Sequence, residues 1–438
     1  MSVPPLRGFQ APGFGIPVLN SGQCNDYRCR NAGELQGWVH LPTPSQPHIP
    51  RLSATRREGE RVTPLELFFD LVFVLAITQC TALMARHPTW SGLAQGLLVL
   101  GVLWWTWVGY AWLTSVIDPE EGAVRLVMFG AMAALLIASL CVPEAFGDLA
   151  LTFALAFGVV RVAHIGLFML ASPDDDALRH SVLGLAGSTA LAVALLVAAS
   201  CFDGLAQGSL WALALFLDMG LPYFFGTEGW KLVPRHFAER HGLIVIIALG
   251  ESIVAIGVGA SGHLDLAIGT AAVLGVALAA AQWWIYFDVV ALISAQRLAE
   301  AEPGRAQNAL ARDSYSYIHL LLVAGIVLTA FGLKTTIAHT GEHLAAVPAF
   351  ALLGGVAVYL LGLVAFRLRH VQSLNRQRLG LAIVLLILIP VAMAIPALIS
   401  LAIVVVLIWA MVAYEHHGYD ERRDRLRREA SVSHPAAA

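Results

Sequence analysis

Along most of this chain, polar positions interrupt the apolar ones rather than alternate with them. From residue 61 to 415, charged residues or Pro and Gly breaks divide the sequence into apolar stretches. Each is close to the roughly 20 residues a helix needs to cross the hydrocarbon core of a bilayer. The stretches fall near 64–84, 91–115, 123–142, 148–170, 180–201, 208–226, 242–261, 265–292, 315–337, 346–367, 378–395 and 397–415. Only Pro390 and Pro396 separate the last two. As a single helix they would far exceed a bilayer's thickness, so two helices joined by a tight turn are expected. The pattern predicts an all-α membrane protein of about 12 transmembrane helices.

Composition strengthens this picture. The 438 residues are 58% hydrophobic and 13% charged, with a mean hydropathy of +0.72; a soluble domain is about half apolar and a quarter charged. A net charge of −3 gives no argument for a nucleic-acid partner. The distribution of Lys and Arg orients the helices. With the N-terminus in the cytoplasm, the outer loops hold only Arg86 and Lys334. The inner segments hold the remaining loop bases, including Arg61, Arg125, Arg179, Lys231, Arg312, Arg367 and Arg378. Both termini are therefore expected in the cytoplasm. Residues 1–60 are rich in Pro and Gly and carry no signal-peptide core, as expected for a disordered cytoplasmic tail. Residues 416–438 read as a basic cytoplasmic tail. Of five cysteines, Cys24 and Cys29 lie in the N-terminal tail and make a poor zinc signal; the others read as small hydrophobes.

The second half echoes the first. Trp104-Trp105 and Trp283-Trp284 are 179 residues apart, and the same offset roughly superposes Glu60-Arg61 on Glu239-Arg240. Arg161-x-x-His164 likewise has a counterpart in Arg367-x-x-His370. Six helices is an even number, so halves at 61–226 and 227–415 would form a parallel repeat.

Ionisable side chains inside a bilayer are costly and are candidates for function. The apolar spans hold Glu66, Asp70, Arg161, His164, Asp218, Glu251 and Asp288. Glu66 and Asp70, four residues apart, share a helix face. At 1.5 Å per residue Asp70 would sit about 9 Å into the bilayer and Glu251 about 13 Å. The group reads as a polar site of negative excess that favours a proton or a monovalent cation, with Arg161 as counter-charge. Helix-holding ion pairs are the structural alternative. Glu66 is also placed to serve the start of its helix. Gly250, Gly257, Gly259 and Gly262 around Glu251 would allow either close packing or a local break. The segment 229–242, with His236, Glu239 and His241, lacks metalloprotease spacing and reads as a basic, aromatic stretch at the membrane surface. No motif calls for a cofactor, a metal or enzymatic chemistry, and membrane lipids are the expected surroundings.

Three motifs carry a family resemblance: "TPLELFFDLVFVLAITQ" from Thr63, "WWTWVGYAWLT" from Trp104 and "HFAERHGLIVIIALGESIVAIG" from His236. Together they resemble the bacterial low temperature requirement A family, over about residues 61–415. The resemblance implies a polytopic protein of the bacterial inner membrane, linked by name to growth in the cold. The motif's charged positions map to Glu66, Asp70, Glu239, Arg240, His241 and Glu251. The first motif is also similar to the first helix of six-helix-repeat potassium channels, with Phe69 where those have Ser. The expected function is a proton- or cation-coupled secondary transporter using Asp70 and Glu251. A cation channel and a non-transporting scaffold or sensor are the alternatives.

Overall fold

The structure is a computed structural model that describes residues 61–172, 175–224, 229–260 and 264–432, without the side chains of residues 224 and 418–432. The expectations for residues 1–60, for Gly262 and for the tail's charges lie outside the described residues. Twelve segments run in order: α1 (Pro64–Arg86), α2 (Trp90–Thr114), α3 (Gly122–Cys141), α4 (Ala150–Ala171), α5 (Asp176–Ala199) and α6 (Gly204–Phe224). Then come α7 (Pro234–Gly259), α8 (Leu266–Glu300), α9 (Arg305–Ala338), α10 (Ala346–Val371), α11 (residues 376–392) and α12 (Ala397–Val432).

Among the described residues, eleven helices are long and apolar enough to cross a membrane. Outward-facing side chains such as Leu71, Val162, Phe216 and Val273 leave a large apolar surface exposed. The protein is a multi-pass membrane protein, and those faces meet lipid. The exception in length is α11, expected near 378–395. It consists of Arg376–Ile387 and the single turn Ile389–Ala392, parted at Leu388. Pro390 has no N–H to give to the previous turn and crowds the carbonyl four residues back. The broken helix still carries the chain back. Ala397 N donates to Glu342 O (2.8 Å) and Leu398 N to Thr340 O (3.1 Å), so the start of α12 meets the loop from which α10 departs. The last helix runs on to Val432, well past the expected boundary of the tail.

The helix starts are written locally. Thr63 caps α1 through the Glu66 amide, Glu66 reaches back to the Thr63 amide (2.8 Å), and Pro64 occupies the first turn. Replacing Thr63 by Ala should cost about 1 kcal/mol, read from thermal unfolding in detergent. Three helices carry π turns: Tyr286–Val290 in α8, Arg312–Ile318 in α9 and Phe350–Gly354 in α10. Such turns recur at functional positions because they redirect side chains without ending the helix.

Neighbour relations repeat along the chain. In the first half α1 packs on α2 and α3, α3 on α4, α4 on α5, α5 on α6, and α2 on α6. Six helices later α7 packs on α8 and α9, α9 on α10, α10 on α11, α11 on α12, and α8 on α12. The two halves meet where α1 touches α7 and α9 and where α2 touches α7 and α9. The helices α2, α9 and α10 are enclosed on most sides, while α6 is largely peripheral.

Candidate functional site

Two buried ionic centres lie in this bundle. The first joins the halves. Pro234 starts α7 eight residues before the expected boundary, so residues 234–241 form two helical turns that bury His236, Phe237, Arg240 and His241 while Arg235 and Glu239 stay exposed. His236 and Arg240 then share a face, four residues apart, opposite Glu66 and Asp70 with the same spacing on α1. All four side chains are completely buried. His236 Nε2 lies 2.9 Å from Glu66 Oε1, and Arg240 Nη2 donates to Asp70 Oδ1 at 2.8 Å. Arg240 Nη1 is 3.5 Å from Glu66 Oε1. It also donates to Thr114 Oγ1 (2.7 Å) and Tyr110 O (3.3 Å). Those two acceptors sit in the last turn of α2, where unpaired carbonyls and the helix dipole favour a cation.

Asp70 Oδ1 takes a second hydrogen bond from Trp107 Nε1 (2.8 Å), and the Arg240 guanidinium lies 5.4 Å from the Trp107 ring centroid. Asp70 Oδ2 and Arg240 Nε have no hydrogen-bond partner among the described residues. Glu66 Oε2 caps its own helix, as expected, while Oε1 faces His236 of α7. The centre sets two carboxylates against one permanent cation, with the His236 ring against Glu66.

The second centre lies within the first half. Arg161 of α4 donates from Nη2 to Asp218 Oδ1 of α6 (2.9 Å) and to Thr189 Oγ1 of α5 (2.6 Å). Thr189 also donates to Asp218 Oδ1 (3.1 Å). His164, one turn after Arg161, is buried, and neither ring nitrogen makes a hydrogen bond of good geometry among the described residues. A cavity of about 70 Å³ opens here, lined by Arg161, His164, Trp105, Trp112, Trp230 and Tyr317 among others. A Cβ at Gly109 would stand 2.8 Å from His164 Cε1 and 3.2 Å from Arg161 Nη1, so glycine lets α2 approach this pair. Tyr110 links the two centres. Its carbonyl accepts from Arg240, its hydroxyl donates to Val160 O (3.0 Å), and its ring lies 5.3 Å from that of His164.

The expected single polar site is thus divided. Arg161 is paired with Asp218, and the counter-charge of Asp70 is Arg240. Glu251 accepts a hydrogen bond from Thr78 of α1, farther along the same α1–α7 seam. At 1.5 Å per residue it lies about 16 Å from Arg240 along α7. Asp288, in the π turn of α8, lines a separate cavity of about 420 Å³. The glycines around Glu251 do not break α7. Gly250 and Gly257 face open space, and a Cβ at Gly259 would come within 2.9 Å of Lys334 O, which makes it a packing position. His236 and Arg240 were hidden by the assignment of residues 229–242 to the surface. The available signal was the matched four-residue spacing of acids on one apolar segment and bases just before another.

Comparison with known proteins agrees with this arrangement of motifs. The family model described as bacterial low temperature requirement A protein (LtrA) matches residues 61–413. A relative from Rhizobium meliloti (strain 1021), the uncharacterized protein RA0937, is 30% identical over 372 residues, covering 80% of this chain and 89% of that protein. No solved structure matches. From the motifs on α1, α2 and α7 and a match that runs through nearly all the helices, the chain belongs to the bacterial low temperature requirement A family of membrane proteins.

Proposed function

We propose that this protein is a proton- or cation-coupled secondary transporter of the bacterial inner membrane. In this reading two parallel six-helix repeats, 61–226 and 227–415, move against each other, and both termini are cytoplasmic. The observation that carries it is the first ionic centre. Acids of the first half, Glu66 and Asp70, meet bases of the second, His236 and Arg240, fully buried on the seam between halves. Coupling sites of repeat-built transporters occupy such seams, because a charge cluster shared by two moving bodies has its pairing changed by their motion. The recurring helix contacts support the repeat, and the six-helix offset supports its parallel sense.

Asp70 and Glu251 are assigned as ion carriers, at two positions on one seam. Arg161, His164 and Asp218 are assigned to a small cargo pocket coupled to the seam through Tyr110. No reaction chemistry is assigned, and the reading is of a carrier rather than an enzyme.

The test is flux into proteoliposomes holding the purified protein, followed with an internal pH dye and a panel of monovalent cations. Flux driven by a proton or cation gradient is expected, falling at least tenfold in Asp70→Asn. Currents that persist with no coupling gradient would favour a channel. Absence of flux under every gradient would overturn the transporter and leave a scaffold whose buried charges hold helices together.

A further inference from the structure

A second row of titratable side chains lies beside the α1–α7 centre and takes no part in its ion pairs. Four helices of the second half supply it: His241 from α7, Tyr286 from α8, Tyr315 and His319 from α9, and His370 from α10. Tyr286 and Tyr315 stand in the π turns of their helices, which turn both rings toward the same interior space. Ring centroids are 5.8 Å apart for His370 and Tyr315, 5.0 Å for Tyr315 and His319, 5.1 Å for Tyr315 and His241, and 5.3 Å for His241 and His319. His241, Tyr286, Tyr315 and His319 are all fully buried or within 1% of it.

Backbone carbonyls fix the proton positions, since a carbonyl only accepts. His319 Nδ1 donates to Ser314 O (3.1 Å), so its Nε2 accepts from the Tyr286 hydroxyl at 2.9 Å. His241 Nδ1 donates to Phe237 O (2.8 Å), which leaves Nε2 as a bare acceptor. Among the described residues that nitrogen and both nitrogens of His370 have no hydrogen-bond partner, and the Tyr315 hydroxyl, near Ser294, has none of hydrogen-bond geometry. Gln282, one turn before Tyr286, is buried with its amide equally unmatched. A native interior seldom leaves one such group unsatisfied, and here several converge. Water bridging such groups would satisfy them, and imidazole and phenol groups joined by water can pass protons.

The row has two distinct ends. His370 lines the cavity of about 420 Å³, whose wall also holds Asp288, Arg297, Glu300, Arg367, Arg378 and Glu415. His241 is the chain neighbour of Arg240, and its ring lies 5.0 Å from that of Trp107, the residue bonded to Asp70. We propose that His370, Tyr315 and His241 form a proton-transfer row between the large cavity and the Asp70–Arg240 centre, with His319 stacked beside Tyr315. The proposal rests on the coupled-transport reading and specifies the proton as its coupling ion. Because the Nδ1 proton of His241 stays hydrogen-bonded to Phe237 O, a proton enters and leaves this ring at Nε2, with the imidazolium formed in between. Tyr315 takes a proton at its hydroxyl oxygen as it gives up its own, and the Asp70 carboxylate is the final acceptor.

The experiment is proton flux into proteoliposomes with an internal pH dye, comparing the full-length protein with Tyr315→Phe and His370→Gln. Tyr315→Phe keeps the buried ring and its packing, so the melting temperature should change little while flux falls at least tenfold. His370→Gln should reproduce the loss from the cavity end. Wild-type flux that survives in both variants overturns the row and leaves the carrier reading intact. Absence of proton flux in the wild type overturns the row; flux of another cation under the same conditions then preserves the carrier reading, and absence of all flux removes it. Should Tyr315→Phe fail to fold, His370→Gln decides alone.

Discussion

Arg240→Met is expected to destabilise the protein by about 3–5 kcal/mol, the cost of leaving buried charges without their partner. The guanidinium is the permanent cation of a centre that holds both Glu66 and Asp70 at full burial. Its removal also strips donors from Thr114 Oγ1 and Tyr110 O at the end of α2. Unfolding in detergent, followed by heat or denaturant, measures the loss. The triple variant Glu66→Gln, Asp70→Asn, Arg240→Met should recover most of it, because it removes the charges on both sides together. Recovery of stability without recovery of flux would separate the two roles of the centre. A triple variant as unstable as Arg240→Met would show that hydrogen bonds to α2, rather than uncompensated charge, dominate.

Arg161→Met should be the other large effect, again about 3–5 kcal/mol, since it leaves the Asp218 carboxylate in the interior with the Thr189 hydroxyl donating to it and no cation beside it. A single nitrogen of Arg161 serves both Asp218 and Thr189. Lysine can supply a charge and several donors on a flexible stem, so Arg161→Lys should lose less than Arg161→Met. Adding Asp218→Leu to Arg161→Met should restore stability by removing the orphaned charge. A double-mutant cycle on the same unfolding signal gives the coupling directly, and a coupling below about 0.5 kcal/mol would mean the pair behaves as two independent residues.

The architecture was legible because hydrocarbon thickness imposes a length on every span, and charged or Pro breaks mark the ends. The site was legible only in part. Glu66, Asp70, Arg161, His164 and Asp218 stand out because each interrupts an apolar run. Arg240 and His236 do not, since they precede the apolar run of α7 and look like loop bases until Pro234 is seen to begin the helix. Pairing across about 170 residues is a tertiary fact that helix spacing alone does not reveal. The row of Tyr286, Tyr315, His319 and His370 was hidden for another reason. Its members face one another only because π turns shift the helical phase by one residue, and a regular 3.6-residue reading places them differently.

The two ionic centres also differ in when they can close during synthesis. Arg161 and Asp218 are 57 residues apart, and the first six helices contain both. Glu66 and Asp70 must await bases 170 residues downstream. At typical elongation rates that is a delay of roughly 10–30 s. For that interval α1 carries two acids into the bilayer with no cation from α7 to meet them. The first half therefore cannot complete its own interior as it is made, and arrival of α7 is the event that locks the two halves into one body.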